Sequence, residues 1–227
     1  IALHNENSLN VFKQKGKVAD LQKHVEKEDI SGHIGIGHTR WATHGLPNNT
    51  NAHPHCSGDE EIALVHNGII ENYAVLKEEL TSRGHVFKSE TDTEVLVHLI
   101  EDIKKENNCD LFDAVRIALN EVVGAYAIVA IDNKNPKELI AARKSSPLVI
   151  GLGDGEYFLA SDATPIVEYT KNVVYLDDGE IARISIADGL SLKTIQNKNK
   201  TPYIQELEMH LEALEKGGYE HFMLKEI

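Results

Sequence analysis

The stretch AYAIVAIDNKNPKELIAARK, Ala125 to Lys144, decides the fold. Its first part, Ala125 to Ile131, is apolar throughout, and 138–143 carries a second strand-like run. Between them lie Asp132-Asn133, a turn signal. A parallel pair needs a crossover of about a dozen residues or more, so two runs this close together pair antiparallel. The texture continues downstream in strand-like runs at 148–152, 157–161, 173–176 and 180–186. Gly153-Asp154-Gly155, Asp178-Gly179 and Asp188-Gly189 punctuate them.

Upstream of Gly124 the period changes from two to about 3.6. Val18 to Glu26 is a short amphipathic helix, and Asn72 to Arg83 a second one closed by Gly84. Thr91-Asp92-Thr93-Glu94 has the form of a capping box, followed by a stripe of Val95, Leu96, Leu99, Ile100 and Ile103. Asp110 caps a helix over Leu111 to Val122. Strands are expected at Ile1 to His4, at His33 to His38, and from Ile62 to His66, ending at Asn67-Gly68. Asn197 to Thr201 reads as a loop and Tyr203 to Lys216 as a final helix. The expected class is α+β, with helices packed on antiparallel sheets and no internal repeat or long linker.

Composition narrows the function. Lys and Arg total 23 against 36 Asp and Glu, a net charge of −13. An acidic chain without a basic cluster is a poor ligand for phosphate backbones, which argues against nucleic acid and anionic membrane as partners. The longest apolar runs are too short to cross a bilayer. Two cysteines, Cys56 and Cys109, and no recognisable leader before Ile1 fit a cytoplasmic protein. The sequence opens directly on a strand and stops without a cap, so both ends read as cut.

Several residues could carry chemistry. Arg40, at the end of a strand, could clamp a carboxylate or make a surface ion pair. Trp41, Thr43 and His44 follow it in a loop, where binding groups concentrate. Asn67-Gly68 is a strong hairpin signal, yet the sequence after Ile70 looks helical. An Asn amide and a Gly N–H presented together would instead make an oxyanion hole. Asp92 is a helix-start residue or an acceptor for a substrate ammonium group. His53-Pro54-His55 is an H-x-H pair without the further spaced ligand a zinc site needs, so no metal is assigned. Cys56 follows His55 but reads as a surface thiol, since adjacent side chains point apart; Cys109 has no nearby histidine. The residues supply a binding pocket and no convincing nucleophile.

HTRWATHG (His38 to Gly45), NAHPH (Asn51 to His55), VHNGIIEN (Val65 to Asn72) and SETDTE (Ser89 to Glu94) fall in this order along the chain. In this combination the sequence resembles the glutaminase domains of the glucosamine-6-phosphate synthases, class II glutamine amidotransferases that use fructose 6-phosphate as acceptor. The resemblance implies an N-terminal-nucleophile hydrolase fold, a four-layer sandwich of two stacked antiparallel sheets between helical layers. It implies that Arg40, with Thr43 and His44, holds the α-carboxylate of glutamine and Asp92 its α-ammonium. By the same resemblance Asn67 and Gly68 donate to the oxyanion, Trp41 belongs to a mobile covering loop, and His53 has a supporting role.

The family's nucleophile is a cysteine at the first residue, with its own α-amino group as base. Residue 1 here is Ile, so the resemblance implies one amidotransferase domain over 1–227, truncated at its N-terminus and inactive alone. It is expected to end at the connector to a sugar-phosphate isomerase domain. No cofactor is implied, and a homodimer is expected of the full-length protein. Two other readings stand beside it: a non-catalytic amino-acid-binding or regulatory domain, and a class II glutaminase serving a different acceptor.

Overall fold

The computed structural model describes residues 1–5, 8–41 and 43–207. In chain order the elements are β1 (Ala2–His4), β2 (Leu9–Val11), α1 (Val18–Val25), β3 (Ile34–Ile36), β4 (His55–Cys56) and β5 (Ile62–Ile70). Three helices follow, α2 (Tyr73–Ser82), α3 (Asp92–Asn107) and α4 (Leu111–Glu121). Then come β6 (Gly124–Asp132), β7 (Asn135–Lys144), β8 (Val149–Leu152), β9 (Tyr157–Ala160), β10 (Asn172–Tyr175) and β11 (Glu180–Ser185). The last strands are β12 (Gly189–Thr194), β13 (Asn199–Lys200) and β14 (Gln205–Glu206).

The strands form a seven-stranded sheet ordered β13-β12-β11-β7-β6-β5-β4, a four-stranded sheet β14-β10-β8-β9, and a three-stranded sheet β2-β1-β3. Every strand pair in them is antiparallel. The β6–β7 hairpin pairs Ile131 with Leu139 and Ala127 with Arg143, as the stretch at Ala125 to Lys144 requires. Its apolar run is continuous because both faces are covered. Tyr126, Ile128 and Ala130 pack with α2, α3 and α4, whereas Ala127, Val129 and Ile131 pack toward the two smaller sheets. The expected stack of antiparallel sheets with helices outside is present, the second sheet layer being divided in two.

Helix α3 is the centre of the helical layer. Val95, Leu96, Val97 and Ile100 are fully buried, and Thr91 caps the helix by accepting the Glu94 N–H at 3.2 Å. Only half of the expected capping box forms. The Glu94 carboxylate passes the cap and accepts from the backbone of Lys88 at 2.8 Å and from Ser89. Asp110 caps α4 through the Asp113 N–H at 2.9 Å, as its side chain suggested.

Four expectations need correction. Asn67-Gly68 lies inside β5, paired with Ala127 and Tyr126, so it is neither a hairpin turn nor a strand end. Gly68 has φ 143°, and a Cβ there would lie 2.1 Å from the Ala125 oxygen, so glycine is needed for close backbone approach. Asn199–Lys200 within the expected loop is a short edge strand. The residues at the start of the expected last helix form β14 instead, and 208–216 lie outside the described residues. Cys56 is half-buried in β4, and burial pushes its thiol pKa up. No helix among the described residues is long and apolar enough to cross a membrane.

Candidate active site

A cavity of about 420 Å³ opens where the end of β5 meets the start of α3, and Arg40, Trp41, Thr43, His44, His53, Asn67, Gly68 and Asp92 all line it. The eight come from four separate stretches of sequence, at 40–44, 53, 67–68 and 92, and the fold brings them together. Cys56 and Cys109 are not in this wall.

Asp92 is the first residue of α3 and only 3% exposed. Its Oδ2 accepts the Ile70 N–H at 2.8 Å and its Oδ1 the Thr93 N–H at 3.0 Å. Two imidazoles approach it, His44 Nδ1 and His66 Nδ1, each at 3.9 Å. Arg40 also feels this carboxylate, although burial is the larger influence and pulls its pKa down. The guanidinium donates to the carbonyls of His44, Gly45 and Leu46, so it fixes the loop that carries Thr43 and His44. Gly45 adopts φ 74°, and a Cβ there would strike the Asn51 side chain at 2.6 Å. Trp41 is 89% exposed at the rim. Asn67 is exposed to the cavity, and its amide makes no hydrogen bond among the described residues.

Behind these groups lies a buried polar relay. Thr93 Oγ is 3.1 Å from His53 Nε2 and 3.0 Å from His66 Nδ1. The other His66 nitrogen faces the Ala125 carbonyl at 3.4 Å, which can only accept, so neutral His66 carries its proton on Nε2. Thr93 then donates to His66 and accepts from His53, leaving His53 Nδ1 a bare acceptor. Burial drives the pKa of His66, His38 and His53 down, and this keeps the rings neutral. The Nδ1 atoms of His38, His44 and His53 are buried with no hydrogen-bond partner among the described residues. Each such atom costs about 1–3 kcal/mol, a cost that ligand donors or water would relieve.

His53 and His55 do not converge on one point as metal ligands would. Their Nε2 atoms go to separate hydroxyls, of Thr93 and Thr91, at 3.1 Å each. Sequence reasoning missed His38, His66, Thr93 and Ser161 in the wall. Thr93 was hidden by its place in a helix-capping motif, and His66 by the apolar strand around it. Ser161 follows β9, far along the chain, and carries no local signal.

The chain matches the family described as "Glutamine amidotransferase domain" over residues 7–203. It is 61% identical over 228 residues to a glutamine–fructose-6-phosphate aminotransferase (isomerizing) of Bacteroides thetaiotaomicron, covering 100% of this chain and 37% of that protein. The equivalent from Chlorobaculum tepidum is 52% identical over 224 residues, covering 97% of this chain and 36% of that protein. This chain therefore spans little more than a third of their length. Among solved structures, the glutamine phosphoribosylpyrophosphate amidotransferase of B. subtilis aligns with a TM-score of 0.72 at 28% identity, over 86% of this chain and 42% of that one. The conclusion from sequence and structure together is that the chain belongs to the glutamine amidotransferase domain family.

Proposed function

We propose that this chain is the glutamine-binding and ammonia-releasing part of a glutamine–fructose-6-phosphate aminotransferase. The observation that carries the reading is the meeting of Arg40, Asp92, Asn67 and Gly68 in one cavity. Arg40 and Asp92 take the α-carboxylate and α-ammonium of glutamine, charges common to all amino acids. Asn67 and Gly68 address the carbonyl of the side-chain amide and donate to the oxygen that becomes negative in the tetrahedral intermediate. Thr43 and His44, on the loop anchored by Arg40, support the carboxylate, and Trp41 closes over the bound substrate. His53 braces the floor through Thr93.

The nucleophile in this reading is a cysteine outside the 227-residue sequence, which forms and then loses a γ-glutamyl thioester. The names and identities of the relatives support fructose 6-phosphate as the acceptor of the released ammonia. The test is to incubate the complete protein with L-glutamine, with and without fructose 6-phosphate, and assay glutamate, ammonia and glucosamine 6-phosphate. Formation of all three products in the appropriate mixtures is expected. Glutamine binding without glutamate release would leave a sensor, and release without the amino sugar would assign another acceptor.

A further inference from the structure

A larger cavity, of about 1060 Å³, contains none of the eight residues above, but its wall carries His85, His98 and Glu101. His85 follows α2, while His98 and Glu101 lie one turn apart on α3. Their ligand atoms all lie within 4.8 Å of one another. We propose that these three side chains form a divalent-metal site, with Zn²⁺ the favoured ion and a fourth position open to the cavity.

The distances fit. Zn–N and Zn–O bonds of about 2.0–2.1 Å put tetrahedral ligand atoms about 3.4 Å apart. His85 Nδ1 and His98 Nδ1 are 2.9 Å apart, and Glu101 Oε2 is 3.7 Å from the first and 3.9 Å from the second. Shifts of about half an ångström would therefore seat the ion. Two imidazoles and one carboxylate are a donor set that suits zinc with one position left for water.

The partners behind the ligands are those a metal site uses. His85 Nε2 lies 3.1 Å from Asp102 Oδ1, and a carboxylate only accepts, so neutral His85 holds its proton on Nε2 and presents a bare Nδ1. Arg83 in turn holds the other Asp102 oxygen at 2.7 Å. Glu101 is fixed from both sides: Oε2 accepts the Gly58 N–H at 2.9 Å, and Oε1 accepts from Asp59 N at 3.1 Å and Lys105 Nζ at 2.8 Å. Gly58 permits this approach, since a Cβ there would lie 3.1 Å from Glu101 Oε2. Without metal, His98 Nδ1 donates its proton to His85 Nδ1. Loading requires that His98 carry its proton on Nε2 instead, which frees Nδ1 for the ion. An ion here would tie the segment after α2 to the helix whose first turn carries Asp92 and Thr93, about 8–14 Å away along the axis.

The test is a titration of the full chain with Zn²⁺ alone, in competition with a chromophoric chelator, with Co²⁺ loaded in parallel. One ion per chain is expected, with tetrahedral d–d absorption for Co²⁺ and a melting temperature raised by Zn²⁺. Asp102→Asn should weaken binding by about 10–100-fold. His85→Ala, a change outside the helix, should abolish the stoichiometric ion and the Co²⁺ bands while circular dichroism stays that of the parent. Glu101→Gln gives a second variant should His85→Ala fail to fold. Affinity unchanged in either folded variant, or no stoichiometric ion on the parent, would overturn the proposal.

Discussion

The Asp92 carboxylate accepts the backbone N–H of Ile70 at 2.8 Å, joining the first turn of α3 to the end of β5. One bond thus sets the spacing between the charge proposed for the substrate ammonium and the strand that carries Asn67 and Gly68. Asp92→Asn keeps an acceptor for Ile70 and suits a helix start nearly as well, so stability should fall by no more than about 1 kcal/mol. Glutamine binding should weaken at least about tenfold as the negative charge is lost. Asp92→Ala should weaken binding as much and also lose about 1–3 kcal/mol of stability. Calorimetric glutamine titration and urea unfolding read the two effects separately. Parental affinity in the Asn variant would remove Asp92 from the ammonium site.

Asn67 has no side-chain hydrogen bond among the described residues, so removing its amide costs the fold little. Asn67→Ala in the complete protein should lower glutaminase turnover by about 10²–10³-fold with an unchanged melting temperature. Gly68→Ala behaves differently, because its Cβ would lie 2.1 Å from Ala125 O. That variant should unfold at lower temperature. Wild-type turnover in Asn67→Ala would return the residue to a passive position on the strand.

The hairpin at β6–β7 was legible because its apolar runs and turn residues lie close in sequence. The same local logic failed at Asn67-Gly68, where pairing with β6 carries the strand straight through a turn signal. It also passed over β12, whose sequence Gly189-Leu190-Ser191-Leu192-Lys193-Thr194 follows a turn and ends in polar residues near the sheet edge. In the candidate site, Arg40, Asn67-Gly68 and Asp92 were each legible as single binding groups, but only the motif resemblance joined them in one site and gave His53 its supporting role, since nothing local ties Arg40 to Asp92. Their meeting is a tertiary event. The Thr93 relay could not be read at all, because it joins His53, His66 and Thr93 through contacts 27 and 40 residues apart. His85 and His98 escaped notice for the same reason.

Arg40 donates to the carbonyls of His44, Gly45 and Leu46, a spread that a lysine ammonium cannot reproduce. Arg40→Lys should therefore loosen the loop of Thr43 and His44 as well as weaken the paired contact to a carboxylate. The expected result is a rise of about tenfold or more in the glutamine KM, with faster amide exchange from 43 to 46. An unchanged KM would confine Arg40 to bracing the loop.

The buried histidines make stability fall in mild acid. Burial, helped by nearby Lys13, lowers the His55 pKa from 6.5 to about 3, and it drives His53 down further. Below pH 6.5 the unfolded chain therefore takes up protons that these rings refuse in the folded state. Their contribution is fully present above pH 6.5 and declines as the pH falls toward the folded value. Each refusing ring removes about 1.4 kcal/mol per pH unit over that span. Glu94 does not blur the upper part of this window. Burial raises its pKa, but the Ser89 hydroxyl and the Lys88 and Ser89 N–H groups hold the net value below 4.5. The urea midpoint should therefore drop between pH 7 and pH 5, and His55→Gln should flatten that slope by one ring's share. A midpoint constant across this range would mean that the rings are hydrated and protonated in the folded chain, and the dry relay through Thr93 would not exist.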